Sequence, residues 1–152
     1  MTISLKPIGT VVNDRLAATD DFWGTVISEI HLAPEVPEEA FDHIEDFSHL
    51  EIIYYFDQLD DRNIVYSGKP RGNPDYPRVG IFGQRKKDRP NRIGLCTVEL
   101  LEHSCRILKV KWLDAINGSP VIDIKPVFKE FTPQIAIRQP FWVTDLMVNY
   151  WK

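Results

Sequence analysis

The residues best equipped for chemistry are crowded into one stretch. Between positions 69 and 92 stand Lys69, Arg71, Arg78, Arg85, Lys86, Lys87, Arg89 and Arg92, against only Asp75 and Asp88, a local charge of +6. Residues 1–68 hold 3 basic and 14 acidic side chains, so the net charge of −4 conceals a single positive patch. A focused positive field on a negative chain draws phosphate while discouraging indiscriminate polyanion binding. A solvated loop that happens to be basic has the same composition, and composition alone does not separate the two. The segment opens with Lys69–Pro77, whose three prolines and one glycine exclude a regular element. It predicts a surface loop, where ligand contacts concentrate.

Other chemistries find less support. Cys96 and Cys105 are too few for a disulfide framework or a four-ligand zinc site. His31, His43, His49 and His103 show no ligand spacing, so no metal is expected. Gly80 and Gly83 are three apart and make no dinucleotide fingerprint. Ser104 and Ser119 lack the Gly-x-Ser-x-Gly context of a nucleophile elbow.

These side chains must be positioned by a β-rich frame. Strand-type segments are expected near Ile3–Val12, Thr25–Leu32, His49–Phe56, Val79–Gln84, Ile93–Leu101, Arg106–Leu113 and Val121–Val127. Leu50–Phe56 is nearly all apolar and reads as a strand buried on both faces. A hairpin turn is expected at His103-Ser104, with the two cysteines too far apart to pair. Helices are expected over Pro37–Ile44 and Pro140–Trp151, each with proline at its start. Many short strands without βαβ alternation predict an antiparallel barrel or sandwich.

With 152 residues and 43% hydrophobic composition the chain predicts one folded domain, residues 1–152, and not a disordered segment. No apolar run reaches the roughly 18–20 residues of a membrane span, and the start has no basic region followed by an apolar stretch. The expected compartment is the cytoplasm.

Three blocks carry a family resemblance. Phe47-Ser48-His49-Leu50 leads a strand ending Tyr55-Phe56-Asp57. Gly80-Ile81-Phe82-Gly83-Gln84-Arg85 is followed by Arg89-Pro90-Asn91-Arg92-Ile93-Gly94-Leu95. The third block is Asn117-Gly118-Ser119-Pro120-Val121-Ile122-Asp123-Ile124-Lys125-Pro126, and the start Pro7–Val11 matches as well. Together they resemble the TrmO-like (TsaA-like) family of S-adenosylmethionine-dependent enzymes, which methylate threonylcarbamoyl-adenosine at position 37 of certain tRNAs. The resemblance implies a compact antiparallel β-barrel, adenosylmethionine as cofactor and the tRNA anticodon loop as substrate. It places the cofactor contacts on Phe56, Asp57, Arg85, Leu95, Asn117, Gly118, Ser119 and Pro120, and on an N-terminal loop near Asp20, Asp21 and Phe22.

These assignments suit their chemistry. Gly118 allows a positive φ and a close backbone approach, although Asn-Gly is also an ordinary hairpin turn. Arg85 can grip the methionine carboxylate in a fork or meet tRNA phosphate, and Phe56 can stack on adenine or join the core. Asp57 can accept from ribose hydroxyls or the methionine amine, or cap a strand end. Asn91 can aim its amide at the target base, or close an Asx turn. Asp123 and Lys125, two apart on a strand, share one face and read as polar-in beside the pocket. There Asp123 would steer proton loss and Lys125 would hold a phosphate or the threonyl carboxylate; a structural ion pair is the other reading.

The chain departs from the family where Lys86 replaces a usual Ser, Asn117 a common Asp, and Val127-Phe128 a Tyr-containing segment. The aromatic end (Phe141, Trp142, Tyr150, Trp151) points to a homodimer. Lys86, Lys87 and Arg89, too polar for core, are expected to bind RNA phosphate. Replacing Lys86 and Lys87 by Ala should weaken RNA binding and flatten its salt dependence by about 0.7 per lost contact on a single strand, read from filter binding across a salt series.

Overall fold

The computed structural model describes the backbone of residues 1–152 and every side chain except that of Asp61. Eight strands form: β1 Gly9–Val12, β2 Ile27–Leu32, β3 His49–Tyr55, β4 Ser67–Gly68, β5 Val79–Gly80, β6 Ile93–Ser104, β7 Ile107–Lys111 and β8 Pro120–Pro126. Six of them close an antiparallel barrel in the order β1-β2-β7-β6-β3-β8, and β4 pairs with β5 outside it. The expected antiparallel barrel is therefore the architecture.

Alternation builds the core. In β3, Leu50, Ile52 and Tyr54 point inward and are buried, and Gly94, Cys96 and Val98 do the same in β6. Val11, Ile30, Leu108, Val110 and Val121 complete a closed interior, with Leu113 and Ala115 buried beside it. The outward residues of β3, including Ile53 and Tyr55, are half-buried, so β3 is not covered on both faces as expected. Closure of the sheet leaves each strand one dry side only.

Several boundaries differ from expectation, each for a local reason. Residues 3–8 precede β1 without strand pairing, and Met1–Pro7 are exposed. Val79–Gln84 gives a two-residue strand and then a 3-10 turn over Ile81–Gly83, because Gly80 and Gly83 weaken an extended run. Pro37–Ile44 forms the 3-10 turn Glu38–Phe41 and the start of a second, Ile44–Asp46, each too short to reward α-helix nucleation. The C-terminal helix α1 spans Phe141–Leu146, six residues, and residues 147–151 turn back on themselves. The β6–β7 turn falls at Cys105-Arg106, with Ser104 paired to Ile107. Cys105 takes φ +51° there and is exposed while Cys96 is buried, so the expected separation of the sulfurs holds.

A bulge in the β3–β8 ladder has the largest consequence. Tyr54 pairs with Val121 but Ile53 with Asp123, so Ile122 is the extra residue. The shift turns Ile124 toward the core, opposite Ile52, and Asp123 and Lys125 to the outer wall, opposite Ile53 and Glu51. The expected polar-in, apolar-out arrangement is inverted.

Among the described residues no helix is long and apolar enough to cross a membrane. Leu50, fully buried in the barrel, sets a stability test. Leu50→Ala should cost about 2–5 kcal/mol through lost burial and the cavity left behind, measured by urea denaturation.

Candidate functional site

A closed six-stranded barrel is filled by its own side chains, so ligand space lies at its ends. At one end a cleft of about 190 Å³ is lined by Tyr54, Phe56, Arg85, Arg89, Ile93, Gly94, Leu95 and Asp114. Its walls are the exit of β3, the entry of β6 and the basic connection between β5 and β6. Gly94 is needed there: a Cβ at that position would stand 2.4 Å from the Tyr54 ring. The Tyr54 ring in turn meets Phe56 edge-on at 5.3 Å.

The basic connection is fastened from several points. Arg85 donates to the Leu95 carbonyl, and Arg89 donates to the Gln84 carbonyl at 3.0 Å. Gln84 donates through Nε2 to the carbonyls of Gly68 and Val79, tying the connection to the β4–β5 pair. Three of the residues expected to hold a cofactor, Phe56, Arg85 and Leu95, thus share one cleft, together with Arg89.

A second, larger groove of about 910 Å³ adjoins it across Ile93. It is lined by the N-terminal segment Met1–Leu5 and by Tyr55, Asn91, Arg92, Pro120 and Ile122. Arg92 stacks over the Tyr55 ring at 4.9 Å. Asn91 and Arg92 take φ of +64° and +50°, two successive left-handed residues that the Pro90 turn and the β6 entry hold in place. Such backbone is unfavourable for non-glycine residues and clusters at functional sites.

The Asn117–Pro120 loop sits at the corner where β1 leaves the barrel. Gly118 takes φ +85°, and its N–H donates to the Val11 carbonyl at 2.8 Å. The Asn117 side chain accepts from the Asn13 N–H at 3.1 Å, and Ser119 is buried. Of this loop, Pro120 lines the larger groove.

Other expected residues lie apart. Asp21 accepts two hydrogen bonds from Arg71, at 2.9 and 3.0 Å, and Asp20 lies beside the same guanidinium. Phe22 is exposed at φ +66°, and its N–H donates to the Asn149 carbonyl at 3.1 Å. Asp57 is exposed in the turn after β3. Lys86 pairs with Asp88 at 3.1 Å, which reduces the charge it offers to RNA, and Lys87 is half-buried. Asp123 and Lys125 pair with each other on the outer wall, which favours the structural reading of that pair.

Sequence reasoning missed four residues. Asp114 accepts from the Tyr54 hydroxyl and from the Tyr150 hydroxyl, each at 2.7 Å, one on each carboxylate oxygen. Burial, and then the nearby Asp114 charge, push both phenols well above their usual range, so they stay protonated donors at neutral pH. Tyr54 was hidden in an apolar run and Tyr150 in a chain end; only their alternation and aromatic character were visible. Asn13 donates through Nδ2 to Ser28 Oγ at 2.8 Å and to the Ala115 carbonyl at 2.9 Å, joining β2 to the loop that carries Asp114. Asn13→Ala would strand the buried Ser28 hydroxyl and should cost about 1–3 kcal/mol, read from the thermal or urea transition.

The comparisons with known proteins agree with this outline. The tRNA-methyltransferase O N-terminal domain family matches residues 20–132. A probable S-adenosyl-L-methionine-binding protein of Methanothermobacter thermautotrophicus is 40% identical over 134 residues, covering 86% of this chain and 93% of that protein. The tRNA (adenine(37)-N6)-methyltransferase of Escherichia coli is 40% identical over 115 residues, covering 71% of this chain and 49% of that protein. A crystal structure of TrmO from Pseudomonas aeruginosa superposes with a TM-score of 0.75 at 24% identity, over 93% of this chain and 62% of that one. The matched domain and the 40% identity to a relative covered over 93% of its length make this chain a member of the tRNA-methyltransferase O (TrmO) N-terminal domain family.

Proposed function

We propose that the chain is an S-adenosylmethionine-dependent methyltransferase acting on N6 of threonylcarbamoyl-adenosine at position 37 of tRNA. The observation that carries the reading is the cleft that joins Phe56, Arg85 and Leu95 beside a larger groove with room for a nucleoside. Relatives named for adenosylmethionine binding and for tRNA adenine-37 methylation support it.

Adenosylmethionine, when bound, supplies a methyl group on a sulfonium that is already a good leaving group. The protein's task is then alignment and exclusion of water, which is why a strong acid–base dyad is not required. In this reading Phe56 packs on the adenine or the methionine stem, and Arg85 forks the carboxylate. The Asn117–Pro120 backbone borders the adenosine, whereas the Asp20–Phe22 loop, held on Arg71 and Asn149, lines neither cavity. The target base, splayed from the anticodon loop, enters the larger groove, where Asn91 and the stacked Arg92–Tyr55 pair can meet a base face and its edge. Lys87 and Arg89 then neutralise flanking phosphates. Asp123 and Lys125 line neither the cleft nor the groove.

A second reading is a barrel that binds adenosylmethionine without turnover, favoured by the names of the archaeal relatives. Labelled adenosylmethionine with total tRNA, followed by nucleoside analysis, separates the two. Label on a modified adenosine is the expected result, and saturable cofactor binding with no label on any RNA is the outcome for the alternative. Arg85→Ala should weaken adenosylmethionine about tenfold or more in calorimetry, the scale of a lost charge-assisted pair.

We also read the chain as a cytoplasmic homodimer. Residues 131–140 are all exposed, and Phe131, Ile135, Ile137 and Phe141 extend an apolar run that a second copy would cover. Light scattering should give twice the 17.6 kDa chain mass at micromolar concentration, and a monomer there would refute the assembly.

A further inference from the structure

The cleft holding Phe56, Arg85 and Leu95 also contains the Asp114 carboxylate, for which the proposed function has no use. The cleft is therefore charged in both senses: Arg85 and Arg89 supply guanidinium groups and Asp114 an anion, with the Tyr54 and Phe56 rings among them. This is the pattern an α-amino acid requires, a cation for its carboxylate and an anion for its ammonium. The volume, about 190 Å³, is too small for a whole adenosylmethionine and suits its amino-acid end.

The carboxylate is held for that purpose. Tyr54 reaches Oδ1 from the barrel wall and Tyr150 reaches Oδ2 from the C-terminal turn. A carboxylate offers about four acceptor positions, so the two phenols do not exhaust it. The C-terminal turn is itself pinned: the N–H groups of Phe22 and Trp23 donate to the carbonyls of Asn149 and Tyr150 at 3.1 and 2.8 Å. Gly24 lies so close to Trp151 that a Cβ there would stand 1.8 Å from its carbonyl oxygen.

We infer that Asp114 is the acceptor for the α-ammonium of the bound cofactor, opposite Arg85 on its carboxylate, and that Tyr150 is a positioning residue that aims it. The inference rests on the adenosylmethionine reading and deepens it. It also gives the C-terminal turn, which lies beyond the family match of residues 20–132, a part in the site.

Calorimetry with three ligands tests it: adenosylmethionine, adenosylhomocysteine, which lacks the sulfonium charge, and the 2-oxo analogue of adenosylmethionine, which lacks the ammonium. The intact protein should prefer the first over the 2-oxo analogue. Asp114→Asn should lose about tenfold or more on adenosylmethionine and adenosylhomocysteine alike and little on the 2-oxo analogue, as expected for a hydrogen bond between charged groups. Tyr150→Phe, which keeps the charge, should show the same order with a smaller loss, about threefold.

Loss on adenosylmethionine and on the 2-oxo analogue, both of which carry the sulfonium, with adenosylhomocysteine spared would assign Asp114 to the sulfonium and overturn the inference. Equal loss on all three ligands, or loss of all binding, would make Asp114 structural and overturn it too, as would no loss. If the intact protein binds none of the three, it is the cofactor reading that fails.

Discussion

Closing six strands into a barrel leaves an interior that side chains fill completely, here Ile30, Leu50, Ile52, Leu108 and Val110 among others without solvent contact. Every polar group with chemistry to do must therefore stand at the rim, on connections with little structure of their own. The Tyr54 ring bridges these two regimes. Its body packs over Gly94 inside the wall, and its hydroxyl emerges at the rim to hold Asp114. The core thereby sets the position of a rim carboxylate, and the stiffness of the barrel passes to the cleft.

The rim connections are held to one another by charge and hydrogen bonds more than by apolar burial. Arg71 joins the 67–80 loop to Asp21, and Tyr76 on the same loop donates to Asp145 of α1 at 2.5 Å. Arg15 lies over Trp23 at 4.4 Å and fastens the loop between them. Part of the basic segment is thus neutralised within the molecule, since Arg71 and Lys86 have acidic partners. Charge counting in sequence overstates the free positive field for this reason: the acids that answer Arg71 lie some fifty positions away and meet it only in the fold. Arg85, Lys87 and Arg89 have no acidic partner among the described ion pairs, so the remaining field is narrower and lies beside the cleft.

How far the sequence could be read depends on the range of each interaction. Strands whose apolar, β-branched and aromatic content is local, β2, β3, β6 and β7, were legible to within a few residues, although the nearly all-apolar run of β3 hid which of its faces is inward. The 3-10 turns at Glu38–Phe41 and Ile81–Gly83 were not, because proline and glycine signals mark an end of extended chain without fixing the conformation of the next residues. The orientation of Asp123 and Lys125 was read with the wrong sign because a single bulge at Ile122 reverses parity along β8. Nothing in a strand's own residues encodes a bulge; the partner strand decides it. Within the site, Phe56, Arg85 and Leu95 were legible as motif positions, and the structure brings them into one cleft. Asp114 was not, since a lone acid at a strand exit has no local signature and its phenol partners come from 60 and 36 positions away.

The C-terminal turn shows why such distant partners matter for the energetics of the rim. A half-buried carboxylate without donors would draw in water or a stray cation, and the cost of leaving it uncompensated rises as the site dries. Two phenols that burial keeps protonated meet that cost without neutralising the charge. A lysine or arginine in the same place would satisfy Asp114 better and cancel the field that it projects into the cleft. Arg85, on the far chemistry of the same cleft, stays free to answer an anion instead because it is anchored through a backbone carbonyl, that of Leu95. Neutral donors for the acid and a neutral acceptor for the base leave both charges available, and that separation is what a ligand carrying both signs requires.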